Sequence, residues 1–145
     1  MISIVITGHG HFATGLLSAV ELIAGPQENL SVVDFPVGSS SDELGLALKN
    51  ALVSLPKDEG ILFCTDLAGG TPFNQCASLS AGVNGRVIAG TNLGLLLEAV
   101  SSRAFMDIET LKNAIVPAAR ESIKCYEDEV RELASKKAPA SSGGI

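Results

Sequence analysis

Short, almost unbroken apolar runs alternate along the chain with longer stretches whose apolar positions recur every three or four residues. Ile2-Ser3-Ile4-Val5-Ile6 reads as a buried strand, and Phe12 to Ala24 as a helix with Ala13, Leu16, Leu17, Val20 and Ile23 on one face. Gly25-Pro26 stops that helix. Leu30 to Phe35 reads as a second strand, closed by Pro36 and Gly38. Ser40 and Glu43 have the spacing of a capping box for a helix that turns Leu44, Ala47, Leu48, Ala51 and Leu52 inward and ends near Pro56. Ile61 to Thr65 is the third strand. Thr71 and Pro72 suit the cap and first position of a helix reaching about Ser80. Asn84-Gly85 is a turn, Arg86 to Ala89 a short fourth strand, and Leu93 to Ser101 a helix. From Asp107 the pattern is helical to about Lys136, with Pro117 expected to kink or split it.

Strand and helix alternate throughout, which predicts a doubly wound α/β domain on a mostly parallel sheet of about four strands. The domain is expected to span residues 1–136, with residues 137–145, rich in Ala, Pro, Ser and Gly, as a mobile tail. Residues 102–110 leave room for a short extra strand that the pattern does not place.

Composition narrows the picture. The 145 residues suffice for one domain, and 46% hydrophobic against 18% charged residues excludes a disordered chain. With 4% aromatics and no Trp, the core must be mostly aliphatic. A net charge of -6 argues against a nucleic-acid partner, which asks for a basic patch. Cys64, Cys76 and Cys125 form no disulfide framework or zinc motif, which suits a reducing cytoplasm. No secretory leader and no membrane span is expected, because no apolar stretch of about 18 residues occurs.

Chemistry gathers at strand ends. In a parallel sheet the segments Thr7-Gly8-His9-Gly10-His11, Asp66-Leu67-Ala68-Gly69-Gly70-Thr71 and Gly90-Thr91-Asn92 share one edge, where ligands bind. Gly8 and Gly10 let the backbone turn sharply around His9 and let a partner come close. A carboxylate from Asp66 that accepts from one imidazole nitrogen would leave the other its lone pair. Helix starts nearby offer N–H donors to an anion, and Thr71 could add a hydroxyl. Together these features suggest phosphate chemistry with His9 as nucleophile.

Plainer readings stand beside this one. His9 could be structural, His11 a surface or supporting residue, Asp66 a loop-closing cap, Thr71 an N-cap, Cys64 a small core residue and Asp34 solvated. The rival functional reading is a dinucleotide-binding unit, since Gly8-x-Gly10-x-x-Ala13 fits the loose glycine fingerprint and Asp34 closes the next strand. A P-loop is excluded, because no Gly-Lys-Ser/Thr follows. A metal held by His9, His11 and Asp66 has an arbitrary third ligand, so no metal and no cofactor is expected. A non-catalytic interaction protein would show no dependence on His9.

A family resemblance rests on Ile4-Val5-Ile6-Thr7-Gly8-His9-Gly10, Gln27-Glu28-Asn29, Asp34-Phe35, Asp66 to Asn74 and Ala89-Gly90-Thr91-Asn92-Leu93, in that order. The chain resembles the IIA component of the mannose-type sugar phosphotransferase system. The resemblance implies a cytoplasmic phosphocarrier and phosphotransferase. His9 would take a phosphoryl group from the phosphocarrier HPr and pass it to a IIB component, which serves a membrane IIC/IID complex. It implies that Asp66 orients His9, that Thr71 hydrogen-bonds near the phosphohistidine, and that Gly8, Gly10, Gly69 and Gly70 frame the site. It implies a homodimer with an exchanged antiparallel edge strand, here Arg103 to Asp107. The Thr-Gly-His-Gly-x-Phe-Ala start is most similar to members for N-acetylgalactosamine or galactosamine. His11 departs from the residue relatives often carry, and the IIB component is expected on a separate chain.

Overall fold

Ile4, Val5 and Ile6 give strand β1 (Ser3–His9) apolar side chains on both faces, so it can lie only inside a covered sheet. Strand β3 (Ile61–Thr65) is buried along its whole length in the same way. The computed structural model, which describes residues 1–142, places these two strands side by side at the centre. Strand β2 (Leu30–Phe35) flanks β1, and β4 (Gly85–Ile88) flanks β3, giving the parallel order β2-β1-β3-β4. The register sets Thr7 beside Val33 and Thr65, and His9 beside Phe35.

Alternation along the inner strands builds two cores. Ile2, Ile4, Ile6, Leu62 and Cys64 face helices α1 (Phe12–Ala24), α4 (Leu93–Ser102) and α5 (Ile108–Glu121). Val5, Ile61 and Phe63 face α2 (Ser41–Val53) and α3 (Thr71–Ser80). Helices on both faces make the domain doubly wound, as the alternating pattern predicts. From β1 the chain moves to β2 on one side and then returns past β1 to β3 on the other. The carboxyl ends of β1 and β3 therefore flank the topological switch point, where open α/β sheets bind ligands.

Several expectations are corrected. Residues 103–107 form no strand. Arg103 continues the last turn of α4, donating its N–H to the Ala99 carbonyl at 2.9 Å, and Phe105 turns back on Ser102 at 3.0 Å. Asp107 caps α5 by accepting from Thr110 N–H at 2.8 Å, so both helices claim this segment. The Arg103 side chain is only 1% exposed. It donates to the carbonyls of Ile2, Glu28 and Asn29 and to the Gln27 side chain, stapling the starts of β1 and β2 to the end of α4.

Pro117 does not split its helix. Ile115 and Ala119, buried on either side of it, hold α5 against the core. The break comes later, where Ser122 N–H reaches the Ala118 and Ala119 carbonyls and Ile123 N–H reaches Arg120. Helix α6 (Tyr126–Ser142) then runs past the expected boundary at residue 136. Residues 143–145 of the expected tail lie outside the described residues.

Candidate active site

His9 is the last residue of β1 and not part of a free loop, because Gly10 extends the pairing by donating its N–H to the Phe35 carbonyl at 2.8 Å. Gly10 then takes φ +59°, the left-handed turn that sends the chain into α1. A side chain at Gly8 would sit 2.4 Å from the Phe12 ring, so only glycine lets α1 start this close to the strand. These two glycines fix where the imidazole emerges.

Asp66 follows β3 across the switch point. One oxygen, Oδ2, accepts from both the His9 amide at 2.8 Å and the ring Nδ1 at 2.7 Å. The other accepts from Leu67 N–H at 2.7 Å. Burial raises the Asp66 carboxyl, but the hydrogen bonds from the His9 amide, the His9 ring and Leu67 outweigh it and hold it below the usual carboxylate value. An ionised acceptor places the ring proton on Nδ1, so Nε2 carries the lone pair. The His9 side chain is 51% exposed while that of Asp66 is 16% exposed, so the imidazole faces solvent and its carboxylate partner does not. Phe35 presses edge-on against the ring from β2, with centroids 5.7 Å apart.

The segment after Asp66 closes over the ring. Gly69 takes φ +80°, and Gly70 N–H returns to the Leu67 carbonyl at 3.1 Å. A side chain at Gly70 would come 3.1 Å from His9 Cε1, so Gly70 permits the approach. Gly70 is also the N-cap of α3, which moves Thr71 to the first helical position and corrects its expected capping role. Among the described residues the Thr71 hydroxyl makes no hydrogen bond to His9. The amides of Thr71 and Phe73 open α3 without an acidic side chain in that turn, leaving the helix start uncompensated.

The start of α1 is different. Its Thr14 amide and hydroxyl bond to Asp34 at 3.0 and 2.7 Å, and His11 Nδ1 lies 3.0 Å from the same carboxylate. Asp34 is therefore not simply solvated, and it sets a negative charge against the α1 start that disfavours a bound anion there. That arrangement works against dinucleotide binding, because the helix start and the acid the fingerprint needs already satisfy each other. Nor do His9, His11 and Asp66 converge as a three-ligand metal group among the described residues. The third loop buttresses the site without reaching the ring: Gly90 N–H donates to the Asp66 carbonyl at 2.6 Å and Thr91 N–H to that of Thr65 at 3.1 Å. Asn92 caps α4 by accepting from Leu95 N–H at 2.8 Å. Sequence reasoning missed the Phe35 contact and the Asp34 cap; the only signal was their place at the end of the strand paired with β1.

Fold and site together define a small doubly wound α/β domain with an exposed histidine, oriented by an aspartate, at its switch point. Residues 3–116 match the family model described as PTS system fructose IIA component. The chain belongs to this mannose-type IIA family of the sugar phosphotransferase system. It is 32% identical over 134 residues to the fructose-specific EIIA component of Bacillus subtilis, covering 92% of each chain. It is 33% identical over 144 residues to the mannose-specific EIIAB component of Escherichia coli, covering 96% of this chain but 43% of that one. The chain thus spans less than half the length of that two-part relative. The crystal structure of an EIIA phosphotransferase component from Streptococcus agalactiae superposes with a TM-score of 0.81 at 37% identity, over 88% of this chain and 99% of the other.

Proposed function

We propose that this IIA component is a phosphocarrier in which His9 Nε2 accepts a phosphoryl group from phospho-HPr and passes it to a IIB component. The observation that carries the reading is the His9–Asp66 pair: a bond at 2.7 Å to Nδ1 frees Nε2 at a half-exposed ring beside an uncompensated helix start. In the transfer, the Nε2 lone pair forms a new N–P bond as the donor's N–P bond breaks. The electron pair of the broken bond returns to the donor's imidazole. No proton has to leave Nε2, and the Nδ1 proton stays on the ring, donated to the Asp66 carboxylate. The phosphoryl group brings about two negative charges, and we assign their reception to the Thr71 and Phe73 amides and the Thr71 hydroxyl at the start of α3.

The reading is tested by incubating the chain with phosphoenolpyruvate, enzyme I and HPr, then adding a IIB component. Uptake of one phosphoryl group, lost again to IIB, is expected; no mass increase with active phospho-HPr present refutes it. As in the two-part relative, a IIB partner is needed, and we place the transfer in the cytoplasm, serving a membrane IIC/IID complex. The start Thr7-Gly8-His9-Gly10-x-Phe12-Ala13 supports N-acetylgalactosamine or galactosamine as the sugar, while relatives carry the names fructose, mannose and sorbose. Loss of growth on the amino sugars alone, after deletion of this chain, is the matching result. A homodimer, favoured by the unpaired edge of β4, should sediment at twice 14.9 kDa, and a monomer at micromolar concentration counts against it.

A further inference from the structure

The helix that follows His9 has no local cap. His11 occupies the N-cap position of α1 and makes no side-chain capping bond. The cap comes from the neighbouring strand instead. Asp34, opposite Gly8 in the β1–β2 register, accepts from the Thr14 amide with one oxygen and from the Thr14 hydroxyl and His11 Nδ1 with the other. Its side chain is 18% exposed, so little water competes for these bonds. Burial raises the carboxyl, but the Thr14 hydroxyl and amide and the His11 ring outweigh it, so the group stays charged.

This matters for His9 because of the residues that flank it. Two glycines flank it, and each has more conformational freedom than any residue with a side chain. Three ties to β2 remove that freedom. The ladder holds Gly8 opposite Asp34, the Phe35 carbonyl holds the Gly10 amide at 2.8 Å, and Asp34 holds the α1 start just beyond. Phe35, next to Asp34, also sets one wall of the imidazole. Nδ1 of His9 must meet a single oxygen of Asp66 at 2.7 Å, a geometry that a drifting strand end would lose.

We infer that Asp34 is a positioning residue for phosphoryl transfer at His9, anchoring the glycine-flanked strand end through its bonds to the first turn of α1. The inference rests on the phosphocarrier reading above. His11, the second imidazole, is bound into this cap.

The test combines single-turnover phosphorylation by phospho-HPr, over a range of donor concentrations, with ¹⁵N NMR of the imidazole rings. Asp34→Ala should lower the maximal rate about tenfold, the scale of a misplaced reacting group, with the half-saturating donor concentration unchanged. Its His9 signals should move from the Nδ1–H pattern toward a mixture of tautomers. Asp34→Asn keeps an acceptor for the Thr14 amide and should recover part of both. If Asp34→Ala does not fold, Asp34→Asn decides alone: a lowered maximal rate with shifted His9 signals supports the inference. Wild-type maximal rate and wild-type His9 signals in the folded variants overturn it. Should the wild type itself take no phosphoryl group, the phosphocarrier reading falls, and the ring signals alone still decide whether Asp34 sets the His9 geometry.

Discussion

Replacing Asp66 by alanine removes both bonds that hold His9, the one to its amide at 2.8 Å and the one to Nδ1 at 2.7 Å. The Nδ1 bond decides which tautomer the ring adopts, and only the Nδ1–H form presents a lone pair at Nε2. A hydrogen bond to a charged group contributes about 1.5–3 kcal/mol, and Asp66 is shielded enough from solvent to sit within that range. At about 1.4 kcal/mol per decade of rate, the ring bond alone accounts for roughly 10- to 10²-fold. Losing the amide bond as well frees the strand end, so the expected slowing of phosphorylation is near the upper end, about 10²-fold. The assay is quench-flow phosphorylation by saturating phospho-HPr, with circular dichroism to show that the fold survives. An Asp66→Ala protein that accepts and donates phosphate at the wild-type rate refutes the orienting role.

Other expectations follow from the same geometry. Burial pushes the Cys64 and Cys76 thiols up to about 12, while Cys125 is exposed, so a thiol reagent should modify Cys125 alone in the native protein and all three cysteines after unfolding. Arg103→Ala removes the buried donors that the carbonyls of Ile2, Glu28 and Asn29 share and should cost roughly 3 kcal/mol or more in urea unfolding, without touching the site edge. Asp34 and Asp66 both titrate below the usual carboxylate value when folded, against about 3.9 unfolded. Their contribution to stability is therefore present above about pH 4 and lost as pH falls through the lowered folded values, so Asp66→Asn should flatten part of the acid decline in urea midpoint.

The strands and the first four helices were legible because burial on both faces turns β1 and β3 into unbroken apolar runs, and because one-sided helices repeat at their own period. His9, Asp66 and Gly70 were legible because a parallel sheet brings its strand ends to one edge. What failed depended on contacts between distant segments. A buried Arg103 looks like any surface cation until the carbonyls of Glu28 and Asn29 are seen to converge on it. Asp34 looks solvated until the register places it at the start of α1. Pro117 signals a break by its chemistry, yet the packing of Ile115 and Ala119 carries the helix through. The cap of α3 falls on Gly70, where a side chain would crowd the His9 ring, a proximity invisible in the local sequence.

The central claim is that His9 carries the phosphoryl group, and its most direct measurement is labelling by radioactive phospho-HPr of the wild type, His9→Gln and His11→Gln. An acid-labile, base-stable label is expected on the wild type and on His11→Gln, mapped to the peptide containing His9, and none on His9→Gln. Full labelling of His9→Gln, or loss of label only in His11→Gln, contradicts it.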